Sequence, residues 1–233
     1  MRIRRLIIVL FVVAWVIPMV AQPEVGTFSL VPRLGVDIAN ISGDHAYQYN
    51  TVGSFSLEGK YRSDFTGGLE AMYQFMPNLA VSVGVMYAAE GCRYSDVEVG
   101  TGETRVGFNH NHVKMEYLQV PVMAHYYVAQ GLSVNAGIRL GFLLAANHEY
   151  DVTDITYHEL SGTRDYGETS SQDVDIKDLC KKTAISIPIG ISYEYMNVVL
   201  DARYHFPLTK TCESGIDGKA RSLTVTVGYK FDF

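Results

Sequence analysis

The densest set of metal-ligating residue types in the chain is His110-Asn111-His112, with Asp96 and Glu98 upstream. Imidazole nitrogens and carboxylate oxygens together can hold a zinc-type ion. These histidines fall in a stretch read as loop, so no metal and no cofactor is expected. A second set consists of charged residues that recur on one parity of short alternating segments: Arg33, Glu70, Arg139, Glu194, Asp201 and Arg203, with Asp37, His125, His205 and Lys230 beside them. Carboxylates with a histidine could serve a hydrolase, but no nucleophile–base spacing is recognisable. No catalytic residue is assigned, and the chain is not expected to be an enzyme. A third set is acidic: nine carboxylates lie between Glu149 and Asp178. Solvated loop surface is the ordinary use of such a run, and a divalent cation or a surface ligand is the functional alternative.

The elements that must position these residues are strands. Met1-Arg2-Ile3-Arg4-Arg5, an apolar run from Leu6 to Val20, and Ala21 together have the charge, length and small terminal residue of an export signal. Residues 1–21 are therefore read as a signal peptide and 22–233 as one domain. No later stretch is apolar enough for a spanning helix. Beyond the leader, apolar residues keep one parity in eight segments. Leu132, Val134, Ala136, Ile138, Leu140, Phe142 and Leu144 oppose Ser133, Asn135, Gly137, Arg139 and Gly141. The same alternation runs near 33–39, 65–75, 79–87, 117–128, 185–194, 198–206 and 223–233.

Segments of about ten residues suit tilted membrane-crossing strands, and an even number lets a barrel close. Short connections fall at Met76-Pro77-Asn78, Ala129-Gln130 and Met196, and long polar ones at about 40–64, 90–112, 146–182 and 207–219. The expected fold is all-β: an eight-stranded antiparallel up-and-down transmembrane β-barrel. Both termini and the short turns would face the periplasm, with the long loops extracellular, in the outer membrane of a Gram-negative cell envelope.

Period two gives two faces, and composition says which is outside. The polar face is rich in Gly, Ser, Ala and Thr with few charges, which suits a narrow packed lumen better than a soluble exterior. The apolar face carries almost no charge in mid-strand. Aromatic residues gather toward both strand ends, as in membrane girdles. In the lumen, Arg139, Arg203 and Glu70 are expected to form the central ion pairs. A filled lumen is the first reading, and a polar path for small solutes the second. The formal charge is −6 and no basic run follows the leader, which argues against nucleic acid.

Three cysteines remain, Cys92, Cys180 and Cys212, all in expected outer loops. Export permits disulfides. Cys180 and Cys212 are equidistant from the turn at Met196, so a bridge between them is expected, with Cys92 free.

Several segments resemble the PorT-like outer-membrane β-barrel domain family of small "porin family" proteins. They are Arg33-Leu34-Gly35-Val36-Asp37-Ile38-Ala39-Asn40-Ile41-Ser42-Gly43, Tyr87-Ala88-Ala89-Glu90-Gly91, Tyr117-Leu118-Gln119-Val120-Pro121-Val122, Gly137-Ile138-Arg139-Leu140-Gly141-Phe142-Leu143-Leu144 and Ala202-Arg203-Tyr204. The resemblance implies a barrel and supplies no catalytic set. Thr226, Gly228, Phe231 and Phe233 also resemble the C-terminal signal read by the outer-membrane insertion machinery. The expected partners are outer-membrane lipid, that machinery, and a surface ligand or envelope protein bound by the loops of a monomer. The alternative is a narrow channel or a subunit of a secretion apparatus.

Overall fold

Alternation turns every second side chain to the same face, and a sheet of such strands hides its edges only by closing. The computed structural model, which describes residues 24–42, 44–49, 53–211 and 218–233, shows that closure. The expected leader and Cys212 lie outside the described residues. The strands are β1 (Phe28–Ser42), β2 (Asp44–Tyr49), β3 (Gly53–Glu58), β4 (Arg62–Met76), β5 (Leu79–Arg93), β6 (Val97–Thr101) and β7 (Thr104–Ala129). They continue as β8 (Leu132–His158), β9 (Thr163–Asp175), β10 (Thr183–Tyr195), β11 (Val198–Pro207), β12 (Lys219–Tyr229) and β13 (Phe231–Asp232).

Eight of these strands form a ring in the order β1, β4, β5, β7, β8, β10, β11, β12, with β12 paired back to β1. Every neighbouring pair is antiparallel, so this is an up-and-down barrel. The seam joins Arg33 to Gly228 and Ser42 to Lys219. The tight connections are Pro77-Asn78, Gln130-Gly131 and Met196-Asn197. Met196 and Asn197 both have positive φ (46° and 68°), the backbone of a two-residue hairpin whose twist matches its strands.

The apolar parity faces outward. Leu34, Val36, Leu69, Val83, Ile138, Ile189 and Leu200 are exposed, while Asp37, Glu70, Asn135 and Asp201 are buried. A water-facing barrel would have the reverse. At the seam the two strands approach so closely that one inward position has no room for a side chain. A Cβ on Gly35 would lie 2.0 Å from the carbonyl oxygen of Val225 on the next strand. Gly35→Ala is therefore expected to lower stability by about 1–3 kcal/mol through overpacking. A urea titration of the folded barrel in micelles reads this, and an unchanged midpoint would show that the seam has room.

Two of the expected long loops are not loops. β7 and β8 run for 26 and 27 residues, far beyond a membrane crossing of about 10. Beyond Phe108, β7 exchanges β5 for β6, and beyond Asn147, β8 exchanges β10 for β9. Residues 97–116 and 145–175 thus build a four-stranded extension in the order β6, β7, β8, β9. The expectation failed because the hydrophobic pattern inverts where the strands leave the membrane. In β7, Leu118, Val120, Val122 and Tyr126 face outward, but Lys114 and Glu116 continue that parity as a surface ion pair at 2.6 Å. On the opposite parity Gln119 and His125 give way to Val113, Met115 and Tyr117, all buried. Outside lipid the outer face meets water and the inner face must supply the core. Within the expected loop at 40–64, β2 and β3 form a separate two-stranded hairpin.

Candidate functional site

Inward-facing residues of the barrel form three tiers. In the middle, Glu70 stands between two guanidinium groups. Arg33 Nε lies 2.6 Å and Arg203 Nη2 3.0 Å from its Oε2. Asp201 joins the cluster through Arg203 Nε at 2.8 Å and Arg33 Nη1 at 3.8 Å. All four residues are buried, so each charge depends on the others for compensation.

Arg139 is not in this cluster, contrary to expectation. Its Nη1 donates to Glu90 Oε1 at 2.7 Å and its Nε to Ser186 Oγ at 2.8 Å. Gln119 also donates to Glu90. Glu90 stands at the start of an expected loop, yet it is buried in the lumen. It shares the inward parity of Ala80, Ser82 and Met86, and following that parity four residues further would have found it. Glu194 lies away from the centre. It is half-buried at the short-turn end, where Lys230 Nζ donates to it at 3.0 Å.

Toward that same end, Ser82 Oγ donates to Glu70 and contacts His125 Nε2 at 2.8 Å, while His125 Nδ1 meets Asn135 Oδ1 at 2.9 Å. Serine, histidine and an orienting amide are a catalytic geometry when a substrate can reach them. Here all three are buried, and the serine proton is directed to Glu70. Two small lumen cavities lie elsewhere, between Arg33, Gln119, Arg139 and Thr224, and between Glu90, Tyr117, Arg139 and Lys210. The chain Glu70–Ser82–His125–Asn135 is a run of buried polar groups that satisfy one another.

The third tier closes the mouth on the long-strand side. Ile41, Cys92, Tyr94, Val113, Met115, Tyr117, Leu143, Ala146, Ile176 and Cys180 form one apolar cluster across the barrel opening. Cys92 is a buried free thiol and Cys180 is disulfide-bonded.

In the extension, the residues considered as metal ligands are engaged in strand-to-strand contacts. His110 Nδ1 bonds Asp151 at 2.8 Å, and the backbone N–H of His110 donates to Asp96. His112 faces Glu149 at 3.4 Å. Glu98 accepts from Arg105 at 2.9 Å and Arg164 at 3.1 Å, and the Arg105 hydrogen bond is the main reason its carboxyl titrates below its usual range. Both guanidinium groups flank the Tyr157 ring, at 3.9 and 5.4 Å. Among the described residues no group of three or more His, Cys, Asp or Glu could hold a metal ion.

His148, in the base of the extension, bonds Asn111 Oδ1 at 2.7 Å. Burial, with some help from His112, lowers its pKa from 6.5 to about 4. A base depressed on folding contributes stability that is complete above its unfolded pKa. That contribution declines from pH 6.5 to about pH 4. The protection of the amides around Asn111 and His148, corrected for the intrinsic exchange rate at each pH, is expected to fall as the pH is lowered across this range, and His148→Gln should flatten the dependence. Equal slopes in both proteins would contradict the assignment.

Residues 20–213 match the family model described as "Outer membrane protein beta-barrel domain". The chain belongs to this family. Its place is therefore the outer membrane, as the exposed apolar band requires. Solved structures similar to this outer membrane barrel include Ail, the attachment invasion locus protein of Yersinia pestis. That protein is 16% identical over 89% of this chain and 100% of its own, with a TM-score of 0.42. Neisserial surface protein A is 15% identical over 88% and 99%, with a TM-score of 0.40. OprG from Pseudomonas aeruginosa is 12% identical over 91% and 99%, with a TM-score of 0.36. No curated protein matches the chain.

The residues of the suggested assembly signal lie along the seam. Thr226 pairs with Gly35 and Gly228 with Arg33 in β12, and Phe231 pairs with Leu30 through β13. Phe231 and Phe233 are exposed. Lys230 separates the two strands and is fully buried, so the outward parity of Tyr229, Phe231 and Phe233 continues across the break.

Proposed function

We propose that this barrel is a non-enzymatic anchor that displays its β6–β9 extension on the cell surface, where the extension binds ligands or envelope components. The observation that carries this reading is the combination of a lumen filled by Arg33, Glu70, Asp201 and Arg203, an apolar cluster across one mouth, and a sheet projecting from that same mouth. A barrel so filled offers a fixed base, and the extension offers surface.

In this reading the extension is extracellular and both termini are periplasmic. Residues 1–21 are removed after export, the insertion machinery reads Thr226, Gly228, Phe231 and Phe233, and the protein is a monomer in outer-membrane lipid. Cys180 is bridged to Cys212.

A cysteine placed at the extension tip by Ser161→Cys tests the display. A membrane-impermeant maleimide added to intact cells should label it, with the parent protein and its buried Cys92 as the control. Labelling only after lysis would reject the reading.

A second reading, a narrow path for small solutes, is supported by the two lumen cavities that meet at Arg139. Planar bilayers should remain silent with the anchor and show discrete steps with a channel. The resemblance to PorT-like barrels keeps a secretion-apparatus subunit as the variant of the display role in which the ligand is an envelope protein.

A further inference from the structure

We propose that the free edge of β9 takes up an extended, cationic peptide segment as a fifth strand of the extension. The inference rests on the display reading and names the chemistry of what is bound.

The edge comes first. β9 pairs with β8 from Asn147↔Asp175 to His158↔Thr163, and among the described residues it pairs with nothing else. All thirteen of its residues are exposed. An edge strand presents unpaired N–H and C=O groups along its open side, a ready template for another strand. Exposed edges are ordinarily blunted by charged side chains, by proline, by a bulge or by extreme shortness. The one register shift in this pairing lies between Thr153 and Ile155, toward the tip. The remaining stretch, Thr169-Ser170-Ser171-Gln172-Asp173-Val174-Asp175, has no proline, no lysine and no bulge, and its only charges are the carboxylates of Asp173 and Asp175, which deter neutral and acidic strands but not basic ones.

Charge selects the occupant. Between 147 and 178 there are nine carboxylates against one arginine and one lysine, an excess of seven, whereas the whole chain has a formal charge of −6. The negative charge of this protein is therefore concentrated on the hairpin that owns the open edge. Cross-strand register puts Glu149 opposite Asp173 and Asn147 opposite Asp175, so carboxylates of both strands share one face near that edge. A second copy pairing edge to edge would set Asp173 and Asp175 against like charges, which destabilises a sheet. A strand with lysine or arginine at every second position would place its cations beside them. The main-chain ladder supplies affinity for any extended segment, and the charge restricts the choice to basic ones.

The test uses the full barrel folded in zwitterionic micelles and a fluorescent nine-residue peptide of alternating lysine and threonine. Its controls are the same peptide N-methylated at alternate backbone nitrogens, and a glutamate–threonine peptide. Fluorescence anisotropy should show the lysine peptide binding at least tenfold more tightly than either control. The double variant Asp173→Asn with Asp175→Asn should weaken it several-fold, and Gln172→Pro, which disturbs the edge without changing charge, should weaken it too. Retained heat-dependent gel mobility confirms that each variant is folded. Equal binding of the parent and N-methylated peptides would reduce the effect to general attraction and overturn strand addition. Binding insensitive to both variants would move the site away from β9 and overturn it as well.

The two readings fail separately. Surface labelling at Ser161→Cys without peptide preference leaves the display role standing and removes the docking edge. Peptide preference in micelles without labelling on cells removes the surface role and leaves the edge.

Discussion

Glu70→Ala is expected to destabilise the barrel by about 3–5 kcal/mol, because it removes the carboxylate shared by two buried guanidinium groups. Arg33 and Arg203 would then face each other with Asp201 as their only carboxylate in the cluster, at 3.8 Å from Arg33 and 2.8 Å from Arg203. The wild-type distances of 2.6 and 3.0 Å to Glu70 would have no replacement. The measurement is the urea midpoint of the heat-modifiable folded band in micelles. A companion variant separates charge imbalance from lost packing. Removing one cation as well, in Glu70→Ala with Arg203→Leu, should recover part of the loss, since a smaller set of charges is again balanced by Asp201. If the double variant is as unstable as the two losses added together, the cluster is not governed by its charge balance.

The second large effect belongs to the opposite face. Ile138 lies at mid-strand on β8, outward and exposed, with Val122 and Leu140 of the same apolar face nearby. Ile138→Arg is expected to cost about 2–4 kcal/mol in a bilayer, while the same change at Leu132, at the short-turn end, should cost about 0–1 kcal/mol. Folding titrations into lipid vesicles read both. The dependence on depth is the informative part. A soluble barrel would tolerate arginine at both exposed positions, so equal small effects would contradict the outward lipid face.

The eight membrane-crossing strands were legible because lipid and lumen demand opposite chemistry at alternate positions. Leu132 to Phe142 shows this without exception, and β8 follows it through that range. The short turns were legible for a related reason, since alternation stops at Pro77, Gln130 and Met196. What was not legible is equally physical. A scan for apolar residues on the lipid parity ends at Leu118, because the next outward positions are Glu116 and Lys114. The strand continues, but its outside is water. The apolar cluster around Val113 and Met115, and Glu90 in the lumen, were lost with it.

Ion-pair partners were only partly readable. Arg139, Arg203 and Glu70 are buried on one parity of their strands, but neighbouring strands are staggered. Which acid meets which base depends on their relative heights around the ring, and a single strand does not encode that. Arg139 accordingly meets Glu90, while Arg33 reaches Glu70 on the adjacent strand.

The seam between β1 and β12 has a consequence for the order in which the barrel assembles. Arg33 and Gly228 are neighbours in space and almost a full chain length apart in sequence, whereas most other neighbours in the ring come from successive hairpins. Hairpins close small loops and form early, while contacts of long sequence separation carry the larger entropic cost and slow the process. The hydrogen bond from Thr224 to Asp37 spans this seam, as does the approach of Arg33 to Asp201. These contacts are expected to form last, after the two ready-made sheet edges have met and the rate-limiting barrier has been passed. Substitutions at Asp37 or Thr224 should then chiefly accelerate unfolding and leave the earlier hairpin steps of folding nearly unchanged.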